Sequence, residues 1–168
     1  MVLVRRARAE DSDQLGRVPV AAWQAAYRGC MPDDYLDGLR AEDRSELWRQ
    51  RLTQAATADG LLVAERDVRV VGFAAAGRCP DDPGVGELSA LDVDPRHWAT
   101  WVGRTLLTRA GHGLAEAGYG EAVLWVLPGN RRARRSYARA GWWPDGGQRT
   151  AAVLGLTLAE LRYRRRLT

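Results

Sequence analysis

Between Gly60 and Asp94 the chain changes its period. Leu61–Glu65, Val68–Ala76 and Val85–Val93 are three β-rich runs. Only Asp67, which marks a tight hairpin, and the loop Cys79-Pro80-Asp81-Asp82-Pro83-Gly84 separate them. A sheet of such strands must bury its apolar face against another layer, and the flanking sequence supplies helices. From Ser12 to Tyr27, Leu15, Val18, Ala22 and Ala26 recur at helical spacing, with Pro19 expected to kink or interrupt the helix. Gly29 ends it, Met31–Leu39 forms a short second helix, and a third is expected from Ala41 to Ala58. Beyond the strands, Val102, Leu106, Ala110 and Leu114 form one stripe of a helix from Trp101 to Ala117. Gly111 and Gly113 weaken that helix by about 1 kcal/mol each relative to Ala. Glu121–Leu127 then reads as a strand, Asn130–Ala140 as a helix, and Trp142–Val153 and Gly155–Arg166 as two last strands. With the short extended segment Val2–Arg8 at the start, the expected fold is α/β of the α+β kind: a mixed sheet flanked by helices.

The chain has 168 residues, 46% hydrophobic and 27% charged, which suits one folded domain over 1–168 and argues against a disordered chain. No run approaches 18 apolar residues, and the opening MVLVRRARAED turns charged at once. Neither a membrane span nor a secretory signal is expected. Cys30 and Cys79 lie outside any CxxC or Cys/His array, so no disulfide scaffold and no metal site is expected, and a reducing, cytoplasmic setting follows. All 25 basic residues are arginine, which reads as codon bias in a GC-rich genome. The 21 acids interspersed among them disfavour a nucleic-acid partner, and of the dense runs Arg131–Arg135 has no interleaved aromatic and Arg162–Arg166 has Tyr163 alone.

Two segments carry chemistry. In Leu91-Asp92-Val93-Asp94-Pro95-Arg96-His97-Trp98-Ala99-Thr100-Trp101-Val102-Gly103-Arg104-Thr105, a strand ends at Val93, Asp94-Pro95 forces a turn, and a helix opens near Trp101. The first turn of a helix presents unpaired N–H groups at the positive end of its dipole, a ready site for phosphate oxygens, and Arg104 adds charge there. Further on, Asn130 and Tyr137 stand seven residues apart, two helical turns, so they share a face with Ala133 and Ala140. A phenol so placed can give a proton to a departing thiolate, since Tyr and Cys titrate within about two pH units of each other.

Together these segments resemble the GCN5-related N-acetyltransferase (GNAT) family, and the resemblance covers nearly the whole chain. The family pattern is a strand LxVxP, then Q/R-x-x-G-x-G/A opening a helix, then N-x-x-A-x-x-x-Y-x-x-x-G-F/W. Leu91, Val93, Pro95, Gly103, Asn130, Ala133, Tyr137, Gly141 and Trp142 stand in those positions. Ala22–Gly29 with Met31–Leu36 also looks like a bacterial GNAT subgroup with a helical lid on the acceptor side. The resemblance implies a mostly antiparallel sheet of about seven strands and an acyl-CoA-dependent N-acyltransferase. Acetyl-CoA would be the donor and the amine of a small molecule, amino acid or antibiotic-type compound the acceptor. Pantetheine would pair with the backbone of Leu91, Asp92 and Val93. The pyrophosphate would sit on the first turn formed by Trp101, Val102, Gly103, Arg104 and Thr105, and Asn130 and Arg134 would also hold the cofactor. Tyr137 would be the general acid and Glu87, on the strand leading in, the base for the amine. Trp23, Tyr27 and Trp48 are candidates for the acceptor pocket, and dimers are common in the family.

The sequence departs from the pattern at the phosphate loop. Trp98 holds the usual Q/R position, Trp101 the first glycine, and Thr100 a site where a second basic residue is frequent. An indole at 101 adds bulk beside a diphosphate, and only an outward orientation leaves the amides accessible. Ser136 replaces a frequent Phe and Ala138 a frequent Glu. Three readings therefore stay open: an intact acyltransferase, a GNAT-fold protein with a lost or repurposed CoA site, and an arginine-based nucleic-acid binder.

Overall fold

The computed structural model describes residues 1–54, 60–153 and 155–168. Its elements run β1 (Leu3–Arg6), α1 (Ser12–Ala26), α2 (Asp33–Asp37), α3 (Ala41–Leu52), β2 (Leu61–Arg66), β3 (Arg69–Arg78) and β4 (Gly86–Val93), followed by α4 (Val102–Glu116), β5 (Glu121–Val126), α5 (Arg131–Arg139), β6 (Trp143–Val153) and β7 (Leu156–Arg166). Short 3-10 turns at Ala9–Asp11 and Pro95–His97 precede α1 and α4. The third helix runs to Leu52; residues 55–58 of its expected span lie outside the described ones. Pro19 does not interrupt α1, which runs through it with the Pro19 side chain buried. Among the described residues no helix is long and apolar enough to cross a membrane.

The seven strands form one sheet in the order β1-β2-β3-β4-β5-β7-β6. Every neighbouring pair is antiparallel except β4 and β5, which are parallel. That parallel pair is joined only at Gly86↔Ala122 and Glu87↔Val123. Beyond Glu87, β4 stays on β3 as far as Val93↔Gly72 while β5 follows β7, so the sheet forks. The register of β3 and β4 slips at Ala75/Ala76, where Ala75 faces Ala90 and Ala76 faces Leu88, leaving Ser89 as the extra residue of a bulge. A bulge bends its strand and sharpens the local twist, and this one sits where β4 leaves β5.

The expected apolar stripe of α4 is buried against one sheet face. Val102, Leu106, Leu107, Ala110 and Leu114 pack with Ala74, Leu88, Ala122, Leu124, Tyr137, Trp142 and Tyr163. On the other face, Leu15 and Val18 of α1 and Trp48 of α3 close over Leu61, Val63, Val70 and Phe73, with Trp48 edge-on to Phe73 at 5.4 Å. The two helices approach closely at Gly16: a Cβ there would lie 2.7 Å from the Ser45 amide and closer still to Ser45 Oγ and the Ala41 carbonyl. Burying these faces at roughly 25 cal/mol per Å² of apolar surface is the main stabilising term, and it holds both limbs of the fork on shared cores.

Candidate active site

The fork places Leu91 and Val93 toward α4 and turns Asp92 toward α1. Trp23 of α1 donates its indole N–H to Asp92 Oδ1 at 3.0 Å. The Arg44 guanidinium of α3 lies 4.9 Å from the Trp23 ring centre. Asp92 shares a cavity of ≈ 90 Å³ with Trp23, Tyr27, Trp125, Tyr137 and Glu160. Burial pushes its carboxyl up to about 7, against the Trp23 hydrogen bond and the charge of Arg132, which both favour the ionised form. Tyr137 is buried at the same place, and burial, with the negative charge of Asp92 beside it, raises its phenol above the ordinary value. Burial does the same to Tyr27.

Glu160 is also buried but already paired, accepting from Arg149 Nε at 2.7 Å, while the Arg149 guanidinium lies 4.1 Å over Trp125. The Trp125 indole N–H is buried without a partner among the described residues. Glu87 lies apart: it lines a different cavity, of ≈ 280 Å³, with Trp48, Arg51 and Ser89. Its Oε2 is buried without a hydrogen bond, and burial raises its pKa despite opposing interactions with Cys79 and Arg149. The structure thus brings Tyr137, Trp23, Tyr27 and Asp92 together and separates them from Glu87 and Trp48. Asp92, expected to act through its backbone, presents a carboxylate to the cavity.

A larger groove of ≈ 990 Å³ adjoins this cavity along Ala26, Val93, Asn130 and Arg132, which line both. One wall is the turn after β4 and the start of α4, including Trp98, Trp101, Gly103 and Arg104; the other is α5. Trp101 turns outward, 69% exposed, with the Arg104 guanidinium 5.1 Å from its ring. Among the described residues the Gly103 and Arg104 amides, in the open first turn of α4, make no hydrogen bond, while Val102 N has only a 3.5 Å contact with Thr100 Oγ1. Thr105 is turned away, donating its hydroxyl to the Trp101 carbonyl at 2.8 Å. Trp98 folds inward: its indole N–H donates to the Val93 carbonyl at 2.7 Å. That carbonyl belongs to the backbone expected to meet pantetheine.

Asn130 caps α5, its Oδ1 accepting from Ala133 N at 3.1 Å. Arg134, expected to hold the cofactor, does not line the groove; it donates to Tyr163 Oη at 3.1 Å and to the Pro128 carbonyl at 2.9 Å. Arg131, Arg132, Arg135 and Arg139 line it instead. Helical phase explains the exchange, because residues 131, 135 and 139 recur every four positions on one face while 134 is turned about 100° from 135. That periodicity is the signal that locates them in sequence. Of the second arginine run, Arg162 and Arg164 both donate to Asp145, and Arg164 also to Glu121, so these two serve the β6–β7 end of the sheet.

A seven-stranded, mostly antiparallel sheet that forks between β4 and β5 and is flanked by helices is a fold found in solved N-acetyltransferases. The acetyltransferase (GNAT) family profile matches residues 20–142, and the chain belongs to this family. Among its relatives, the uncharacterized N-acetyltransferase YuaI of Bacillus subtilis is 30% identical over 133 residues, covering 77% of this chain and 74% of that one. The fold is shared with the PaiA N-acetyltransferase of Thermoplasma acidophilum, solved in complex with coenzyme A, at a TM-score of 0.78 and 19% identity over 99% of each chain. It is shared also with YncA of Salmonella typhimurium, solved with its cofactor acetyl-CoA, at a TM-score of 0.71 and 19% identity over 100% of this chain and 95% of that one.

Proposed function

We propose that the chain is an N-acetyltransferase that takes its acyl group from acetyl-CoA and acts in the cytoplasm on the amine of a small molecule, of the amino-acid or antibiotic type. The observation that carries this reading is the juxtaposition of Asp92 and Tyr137 in one cavity at the fork, adjoining a groove with unbonded helix amides. The groove suits a long polyanion: it is open enough, its arginines carry the charge absent from the loop, and the outward Trp101 leaves the first turn of α4 uncovered.

When bound, acetyl-CoA supplies a thioester carbonyl as electrophile and a thiolate as leaving group. The residues of the chain supply the rest. The Gly103 and Arg104 amides, with the Arg104, Arg131, Arg132 and Arg135 side chains, would hold the cofactor's phosphate oxygens. Asp92 accepts a proton from the acceptor ammonium, and its raised pKa matches that task near neutral pH. Tyr137, neutral because it is buried, holds a proton for the departing sulfur. Trp23, Tyr27 and Trp125 line the cavity that would take the amine. This reading moves the base from Glu87 to Asp92, because Glu87 opens into another cavity.

The test is calorimetric titration with CoA and acetyl-CoA, followed by thiol release in the presence of a panel of amines. Binding with acetyl-dependent thiol release supports the reading; no heat at millimolar ligand overturns it. One observation favours the second reading, a repurposed CoA site: Trp98 already occupies the Val93 carbonyl. Binding without transfer to any amine would select it.

A further inference from the structure

We infer that Trp23 is a positioning residue: its indole N–H holds one oxygen of the Asp92 carboxylate and leaves the other turned to the acceptor amine. The inference rests on the reading of Asp92 as the base. Trp23 reaches Asp92 from α1, 69 positions away in sequence, and meets Oδ1 at 3.0 Å. Among the described residues this is the one hydrogen bond the carboxylate accepts, so Oδ2 is left for a ligand. An indole N–H donates and cannot accept, so it anchors the carboxylate without competing for the proton that the base removes. A Tyr or His at this point would put a titrating group in direct hydrogen bond with the carboxylate.

The indole is itself held. Arg44 of α3 lies against its ring at 4.9 Å, and the backbone of α1 fixes its root, so rotation of the indole is opposed from two elements. The groups facing Asp92 across the cavity are Tyr27 just past the end of α1, Arg132 and Tyr137 from α5, and Glu160 from β7, the last paired with Arg149. Arg132 favours the ionised carboxylate, as does the Trp23 N–H; burial opposes both. Trp23 is the only one of these groups that bonds the carboxylate, and its removal therefore acts on both the ionisation and the orientation of Asp92.

Trp23→Phe keeps an aromatic ring beneath Arg44 and removes the N–H. The Asp92 carboxyl, followed by carbon-13 NMR in the free protein, should titrate about one unit higher than in the parent, a tenfold change in its proton affinity. An unmoved titration overturns the inference. In the unsubstituted protein the Trp23 indole proton should shift along the Asp92 titration, a readout that needs no variant; an indole signal flat through that range also overturns it. The pH dependence of acetyl transfer then separates the two levels. If its limb moves with the carboxyl titration, Trp23 positions the base. If the carboxyl moves and the limb does not, Asp92 is not the base, and the positioning role falls with it. Failure to bind CoA would overturn the acyl-transfer reading while leaving the Trp23–Asp92 titrations as they are.

Discussion

The guanidinium of Arg132 lies 3.4 Å over the indole of Trp98, bridging the two walls of the groove. Because Trp98 also holds the Val93 carbonyl, the stack ties α5 to the end of β4. No carboxylate pairs with Arg132 among the described residues, so its charge is available to an anion in the groove. Arg132→Ala should weaken CoA about tenfold, roughly 1.4 kcal/mol, and flatten the salt dependence of binding. Calorimetry at two ionic strengths measures both, and an unchanged affinity would place the phosphates elsewhere.

Trp98→Phe removes the indole donor and releases the Val93 carbonyl. CoA binding should then tighten by about twofold to twelvefold, the worth of one net hydrogen bond of roughly 0.5–1.5 kcal/mol. Equal affinity of the two proteins would mean that this carbonyl takes no part in holding the cofactor.

Tyr137 is buried beside Asp92, and its phenol is held neutral. Tyr137→Phe should lower turnover about a hundredfold, in the range of general acid catalysis, and leave CoA affinity within about twofold. Steady-state kinetics beside calorimetry separate these effects; full turnover in the variant removes Tyr137 from the mechanism.

Asp92 gives a pH signature in rate and in stability. As base it must be ionised, so the rate should rise with pH through about 7 and then level. Its folded pKa lies above the unfolded value, so the folded state holds the proton more tightly. The associated stabilisation is whole below the unfolded pKa of about 3.9 and is lost as pH rises through the folded one. Asp92→Asn should therefore be more stable than the parent at about pH 8, by roughly 4 kcal/mol, with the gap closing toward about pH 4. Urea unfolding across that range checks the sign.

Gly16 sits where α1 meets Ser45 and Ala41 of α3. Gly16→Ala gains helix propensity of about 1 kcal/mol, but the methyl group meets backbone that cannot yield. A net loss of about 1–3 kcal/mol is expected from the overpacking. Thermal unfolding tests it, and an unchanged midpoint would show that α1 and α3 can part freely.

Much of this architecture is legible in sequence because its signals are local. The Leu15, Val18, Ala22 stripe and the Val102, Leu106, Ala110, Leu114 stripe are buried as their spacing predicts. The positions of Arg131, Arg135 and Arg139 in the groove follow from helical phase, whereas the resemblance points to Arg134. Asp92 is hidden for a definite reason. Strict alternation along β4 would put Glu87, Ser89, Leu91 and Val93 on one face, with Asp92 opposite. The extra residue at Ser89 reverses the phase, so Asp92 comes to face α1 while Leu91 and Val93 join the α4 core. Trp98 and Trp101 read alike in sequence, yet one turns inward and the other out, a choice set by the Val93 carbonyl and by Arg132.

With two rungs alone between β4 and β5, the ladder is interrupted at its centre, and the strands on either side are stitched into separate half-sheets. An extended ligand lying in that gap would supply missing rungs to both. Cofactor binding should accordingly slow amide exchange in β4 and β5 together and raise the melting temperature with ligand concentration, making the occupied protein a more continuous solid than the free one.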